Sequence, residues 1–201
     1  AAGGRDLDSA AALVAARARL MDELPAGGEM AVVHASEAEV RERLAPFAGL
    51  LDVAAMNGPA SVVASGDARA LEVALAGIEH TRLVVSHGFH SPLMDPVLGP
   101  FEAHARRFRA SAPRIPLVGS ATGRPVEAAP DAAYWARQLR DPVRFADGVA
   151  TLAALGATVF VEVGPHSTLA SLGEKILPYA VFVPTLRRGR SDAAALADAL
   201  A

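Results

Sequence analysis

The 201-residue chain contains no cysteine. That excludes a disulfide scaffold, a thiol nucleophile and any zinc site built on thiolates, and it fits a cytosolic protein. Lysine is nearly absent, with Lys175 alone against eighteen arginines, and aromatic residues make up 5% of the chain. The arginines are scattered and the formal net charge is -3, so no basic patch for nucleic acid is present. No apolar run reaches membrane-spanning length and no signal peptide is recognisable. What the chain does have is 52% apolar residues, enough for a folded core and too many for disorder. Alanine and arginine at the expense of lysine point to a GC-rich genome. A start at Ala1, without an initiator Met and directly ahead of a helical pattern, predicts a piece of a longer chain.

Apolar spacing predicts a first helix over residues 9–24, with Leu13, Leu20, Met21 and Leu24 on one face and a Pro25–Gly28 stop. The pattern then changes. Strands are expected at 30–33, 51–56, 61–65 and 82–86. A capping box at Ser36–Glu39 starts one helix, and Asp67 caps another running to Ile78. The order β-α-β-β-α-β is that of a ferredoxin-like split unit. Beyond it, Ser91 and Pro92 open a helix expected to reach Phe108. Short strands at 115–119, 158–163 and 181–183 alternate with helices at 132–139, 145–155, 167–177 and from Asp192. Strands alternating with helices predict an α/β layer with a parallel sheet.

Few residues look chemical. His90 sits between a strand and a helix start, where the positive end of the helix dipole disfavours a charged imidazole. A neutral histidine there can accept a proton from a hydroxyl. A histidine packed at a strand end satisfies the same pattern. Arg17 shares the apolar face of the first helix, and an arginine there needs an anion. A bidentate carboxylate is the natural partner, although an internal salt bridge or a snorkelling side chain would also serve. Gln138 is a helical amide with no obvious task, and His166 follows Gly164-Pro165 as a helix-capping residue. His34, His80 and His104 have surface-like neighbours. The histidines lack metal-ligand spacing and no Gly-rich phosphate loop occurs. No serine lies in a Gly-x-Ser-x-Gly elbow, since Gly119-Ser120-Ala121-Thr122-Gly123 misplaces it. A candidate base is present without a visible nucleophile.

Seven segments in order carry a resemblance: VAARARLM (14–21), MNGPASVVASGD (56–67), VSHGFHSPLM (85–94), PRIPLVGSATGRPV (113–126), YWARQLRDPVRFADGV (134–149), FVEVGPHSTL (160–169) and VPTLRRGR (183–190). Together they resemble the acyltransferase domains of bacterial modular polyketide synthases. They resemble more weakly the malonyl-CoA:acyl carrier protein transacylases of fatty acid synthesis.

The resemblance implies a partial α/β-hydrolase-like large subdomain (1–28 and 89–201) with an inserted ferredoxin-like small subdomain (29–88). It implies transfer of a malonyl-type group from malonyl-CoA, through a serine acyl-enzyme, to the phosphopantetheine thiol of an acyl carrier protein. No bound cofactor and no metal is implied, and the partners are the carrier protein and neighbouring synthase domains, in the cytoplasm. By position, His90 matches the family's catalytic histidine and Arg17 the arginine that grips the substrate's free carboxylate. Gln138 matches a position whose backbone carbonyl orients the histidine, and Asn57 falls in a structural turn. The stretch His87-Gly88-Phe89-His90 matches the segment that tracks extender choice. Phe89 fills the space of an α-methyl and so favours malonyl, while Gly88 replaces the usual alanine. The family's serine elbow would precede Ala1, so residues 1–201 alone are expected to be inactive. A stand-alone malonyl transacylase is one alternative. A non-catalytic module, serving as scaffold or carrier-protein dock, is another.

Overall fold

A computed structural model describes residues 6–200. Helix α1 (Leu7–Asp22) starts where the Asp6 carboxylate accepts the Ser9 amide, and it buries Leu13, Ala16 and Met21. Strand β1 (Gly28–Val33) follows, then α2 (Glu37–Leu44), β2 (Leu51–Gly58), β3 (Ser61–Asp67), α3 (Ala68–Ala74) and β4 (His80–Arg82). The Ser36–Glu39 capping box starts α2, and the Asp67 side chain caps α3.

These strands form one antiparallel sheet in the order β2-β3-β1-β4. Strand alternation gives the sheet two unlike faces. Ala31, Val33, Val53, Val62 and Ala64 pack under α2 and α3 against Val40, Leu44, Leu71 and Leu75. Met30, Ala54 and Val63 look the other way, with Phe89 packed on them. A bulge between Val53 and Ala55 lets both Ala54 and Ala55 serve this second face. The last strand is shorter than the apolar run 82–86 predicts. Its pairing with β1 ends at Arg82, a final backbone bond joins Leu83 to Met30, and Val84 is fully exposed.

The remaining elements are α4 (Asp95–Ala105), β5 (Val118–Gly119), β6 (Arg124–Pro125), α5 (Ala132–Arg140), α6 (Phe145–Ala154), β7 (Val159–Glu162), α7 (Thr168–Ile176), β8 (Val181–Pro184) and α8 (Asp192–Leu200). Helix α4 starts later than predicted, because Pro92–Met94 form a 3-10 turn first. The expected strand 115–119 reduces to the β5–β6 hairpin. Helices α1, α4 and α5 bury Leu13, Met21, Met94, Val97, Phe101 and Leu139 together. Truncating a core phenylalanine such as Phe101 to alanine costs about 3–5 kcal/mol. Strands β7 and β8 pair in parallel, with Phe160 stacked on Phe182 at 4.7 Å. Phe89 touches both the three-helix core and the open sheet face, so it sits at the seam between the two units. No helix among the described residues is long and apolar enough to cross a membrane.

Candidate active site

The seam is built on close backbone contacts. A Cβ on Gly28 would lie 2.3 Å from the Gly88 nitrogen, and one on Gly88 would lie 2.9 Å from the Gly66 carbonyl oxygen. Only hydrogen at these positions lets the 87–90 segment lie this close to the sheet. Ser91, fully buried, donates its hydroxyl to the Gly88 carbonyl at 2.6 Å and accepts the Leu93 amide. This ring of contacts leaves His90 in the left-handed region at φ 57°, the one described non-glycine residue with positive φ. Such a conformation stores strain that the surrounding contacts must sustain, and it marks sites of function.

The His90 ring donates from Nδ1 to the Asp141 carbonyl at 2.8 Å, which leaves Nε2 as the free acceptor. Burial of the imidazole lowers its pKa from the ordinary 6.5; the bond to Asp141 works against this, and the Arg17 and Arg140 charges reinforce it. Burial, rather than the helix end invoked from the sequence, is thus the main reason the ring stays neutral.

The orienting carbonyl is not that of Gln138. Gln138 lies inside the last turn of α5, where carbonyls point along the helix axis. Its side-chain oxygen accepts the Ser120 hydroxyl at 2.6 Å. Pro142 has no N–H to continue the helix and forces the residue before it out of the helical region. Asp141 is accordingly extended at φ -71°, ψ 150°, so its carbonyl turns away from the axis and reaches His90. The Asp-Pro step at a helix end was the sequence signal for this role.

Arg17 is solvent-accessible and makes no hydrogen bond or ion pair among the described residues. Local burial of the guanidinium lowers its pKa, but arginine remains charged. Its charge lies near enough to act on the His90 ring. Arg140, the other cation felt by His90, is already neutralised by Asp95 at 2.8 Å and Asp52 at 3.0 Å. Of the two, Arg17 alone is left to meet an incoming anion.

His87 donates from Nε2 to the Leu24 carbonyl at 3.2 Å and tilts against Phe89 at 5.9 Å. Gly88 is buried and Phe89 half-buried. His87, Gly88, Phe89 and His90 lie together at the seam, and the Arg17 charge acts on His90, while Gln138 stands one helical turn from Asp141. No group of three or more His, Asp or Glu side chains among the described residues is arranged to hold a metal ion.

Residues 1–200 match the family model of the acyl transferase domain. The chain is 44% identical over 218 residues to polyketide synthase GfsB of Streptomyces halstedii, covering 100% of this chain and 4% of that protein. It is 43% identical over 211 residues to mycoketide-CoA synthase of Mycobacterium tuberculosis, covering 100% and 5%. Among solved structures, the acyltransferase domain from the second module of the salinomycin polyketide synthase superposes with a TM-score of 0.94 at 48% identity. That match covers 100% of this chain and 49% of that one. The malonyl-CoA:acyl carrier protein transacylase of Xanthomonas oryzae superposes with a TM-score of 0.86 at 31% identity, covering 98% and 66%. The chain spans about half the length of the synthase domain it matches and a small part of the synthases themselves.

Proposed function

Since the chain belongs to the acyl transferase domain family, as a polyketide synthase acyltransferase domain, we propose that it serves the transfer of a malonyl-type unit from coenzyme A to the phosphopantetheine thiol of an acyl carrier protein. The higher identity to the synthase domain, 48% against 31%, favours this over a stand-alone transacylase. We read residues 29–88 as a ferredoxin-like small subdomain inserted into a partial α/β-hydrolase-like large one, 1–28 and 89–201. The sheet order β2-β3-β1-β4 with two helices on one face supports that division.

The reaction proceeds in two halves. His90 Nε2 takes the proton of a serine hydroxyl supplied from outside these 201 residues, and the serine oxygen attacks the thioester carbon. The tetrahedral intermediate collapses, the C–S bond breaks, and His90 returns the proton to the leaving thiolate of coenzyme A. The same steps then run with the carrier's thiol as nucleophile and the serine as leaving group. Asp141 keeps the proton on Nδ1 throughout, so Nε2 always faces the reaction. Arg17 holds the free carboxylate of the extender unit. Phe89, pinned between two cores, narrows the space beside the α-carbon and favours malonyl over methylmalonyl. One methyl is worth about 1–3 kcal/mol of such discrimination. The substrate is cytoplasmic coenzyme A thioester, and neighbouring synthase domains deliver the carrier.

The observation that carries the reading is the His90 Nδ1 bond to the Asp141 carbonyl at 2.8 Å, which leaves Nε2 free, with Arg17 making no ion pair among the described residues. The test uses the complete acyltransferase domain. Arg17→Ala should slow acylation by malonyl-CoA far more than by acetyl-CoA, which lacks the second carboxylate. Equal losses with both would overturn the carboxylate role.

A further inference from the structure

We propose that Arg140 is a positioning residue, holding the Asp141 carbonyl against His90 by joining three elements of the fold through one guanidinium. Arg140 is the last residue of α5, and its side chain is 24% exposed. Its Nε donates to Asp95 at 2.8 Å and its Nη1 to Asp52 at 3.0 Å. Asp95 is the first residue of α4, four positions past Ser91, whose turn carries His90. Asp52 lies on β2, the edge strand of the four-stranded sheet. The donor and the acceptor of the His90–Asp141 bond are therefore tied to the same cation, His90 through Asp95 and Asp141 through its own neighbour.

The other side of Asp141 is gripped as well. Past Pro142, the Val143 amide donates to the Ala54 carbonyl and its carbonyl accepts the Met56 amide, both at 2.8 Å. The Asp141–Pro142 step thus hangs between a side-chain anchor and a backbone anchor on one strand. An isolated exposed ion pair holds little. Here a partly buried guanidinium spans two carboxylates from different elements, a geometry that fixes position as well as charge. Arg41 lies 3.9 Å from Asp52 and pairs mainly with Glu37 at 2.9 Å, so it leaves Arg140 as the main partner of Asp52. The charged groups that act on His90 are Arg17, Arg140 and Asp141. The β2 edge of the sheet is, on this account, part of the apparatus that sets the tautomer of the base.

This inference rests on His90 being the base, and the experiment separates the two. In the complete acyltransferase domain, acyl-enzyme formation is followed for Arg140→Met, Arg140→Lys, Asp52→Ala and His90→Ala, alongside nitrogen NMR of the His90 ring. Arg140→Met should lower the acylation rate by about tenfold or more without raising KM for malonyl-CoA, and should shift the His90 Nδ1–H signal. Arg140→Lys, which can still reach one carboxylate, should recover part of both. Asp52→Ala should give the same changes in smaller measure, and it decides the matter if Arg140→Met does not fold. A wild-type rate, or a slowed rate with an unmoved Nδ1–H signal, overturns the positioning role. If His90→Ala acylates normally, the assignment of the base itself is wrong.

Discussion

His90 and Asp141 meet at 2.8 Å, Nδ1–H to carbonyl, across fifty-one residues of sequence. The bond replaces a carboxylate third member with a neutral dipole. It orients the ring without adding the full counter-charge that would make His90 harder to deprotonate.

That choice predicts an acid limb below the usual histidine range. The His90 pKa is lowered, so the neutral ring and hence acylation persist at pH values under 6.5. Arg17 contributes to the lowering, so removing its charge should raise the pKa and move the acid limb to higher pH. A pH-rate profile of self-acylation with acetyl-CoA, for the complete domain and its Arg17→Met variant, checks the direction. An acid limb that moves downward contradicts the shared site. The same group links to stability. With its folded pKa below 6.5, the unfolded chain binds more protons between the two values. The His90 contribution to stability is thus fully present above pH 6.5 and is lost as pH falls through the folded value, a trend His90→Gln should flatten in denaturant titrations.

Pro142 makes a sharper test of how the carbonyl is aimed. Pro142→Ala restores an N–H that the last turn of α5 can use and lifts the constraint on Asp141. The helix should extend by a residue or so and the Asp141 carbonyl should swing toward its axis. Stability should change by less than about 1 kcal/mol, whereas the acylation rate should fall by about tenfold or more. Thermal melts and single-turnover acylation on the same preparation separate the two effects.

Much of this was legible in the sequence, and the misses share a cause. Local rules located α1, the Ser36 capping box, the Asp67 cap and the β1–β4 order, because each depends on residues three or four positions apart. His90 and Arg17 could be singled out from their neighbours, the first at a strand-to-helix junction and the second on an apolar face. What could not be read was who meets whom at long range. Arg140 reaches Asp52 and Asp95 over gaps of 88 and 45 residues, and nothing in its helical setting marks it apart from Arg137. The shortened β4 also escaped, since the run 82–86 has strand-like residues but, among the described residues, its strand pairing ends at Arg82. The resemblance points to the Gln138 carbonyl, one turn away, while the physics of the Asp-Pro step makes Asp141 the carbonyl that leaves the helix and meets His90.

The glycines of the seam carry the last prediction. Gly66 has φ +146°, and a Cβ there would lie 2.0 Å from the Leu50 carbonyl oxygen. Both the backbone angle and the space exclude a side chain, so Gly66→Ala should destabilise the domain by about 1–3 kcal/mol. Gly88→Ala is milder in conformation but acts nearer the site. Its Cβ would press on the Gly66 carbonyl at 2.9 Å, and since that neighbour is backbone, the 87–90 segment must move instead. The shift carries Phe89 and His90 with it. Gly88→Ala should therefore lower acylation by malonyl-CoA and change the malonyl to methylmalonyl ratio together, with a smaller loss of stability than Gly66→Ala. Competition between the two thioesters, read by intact mass of the acyl-enzyme, measures the ratio directly. An unchanged rate and ratio in Gly88→Ala would show that the segment yields without moving Phe89, and would remove Gly88 from the specificity-setting residues.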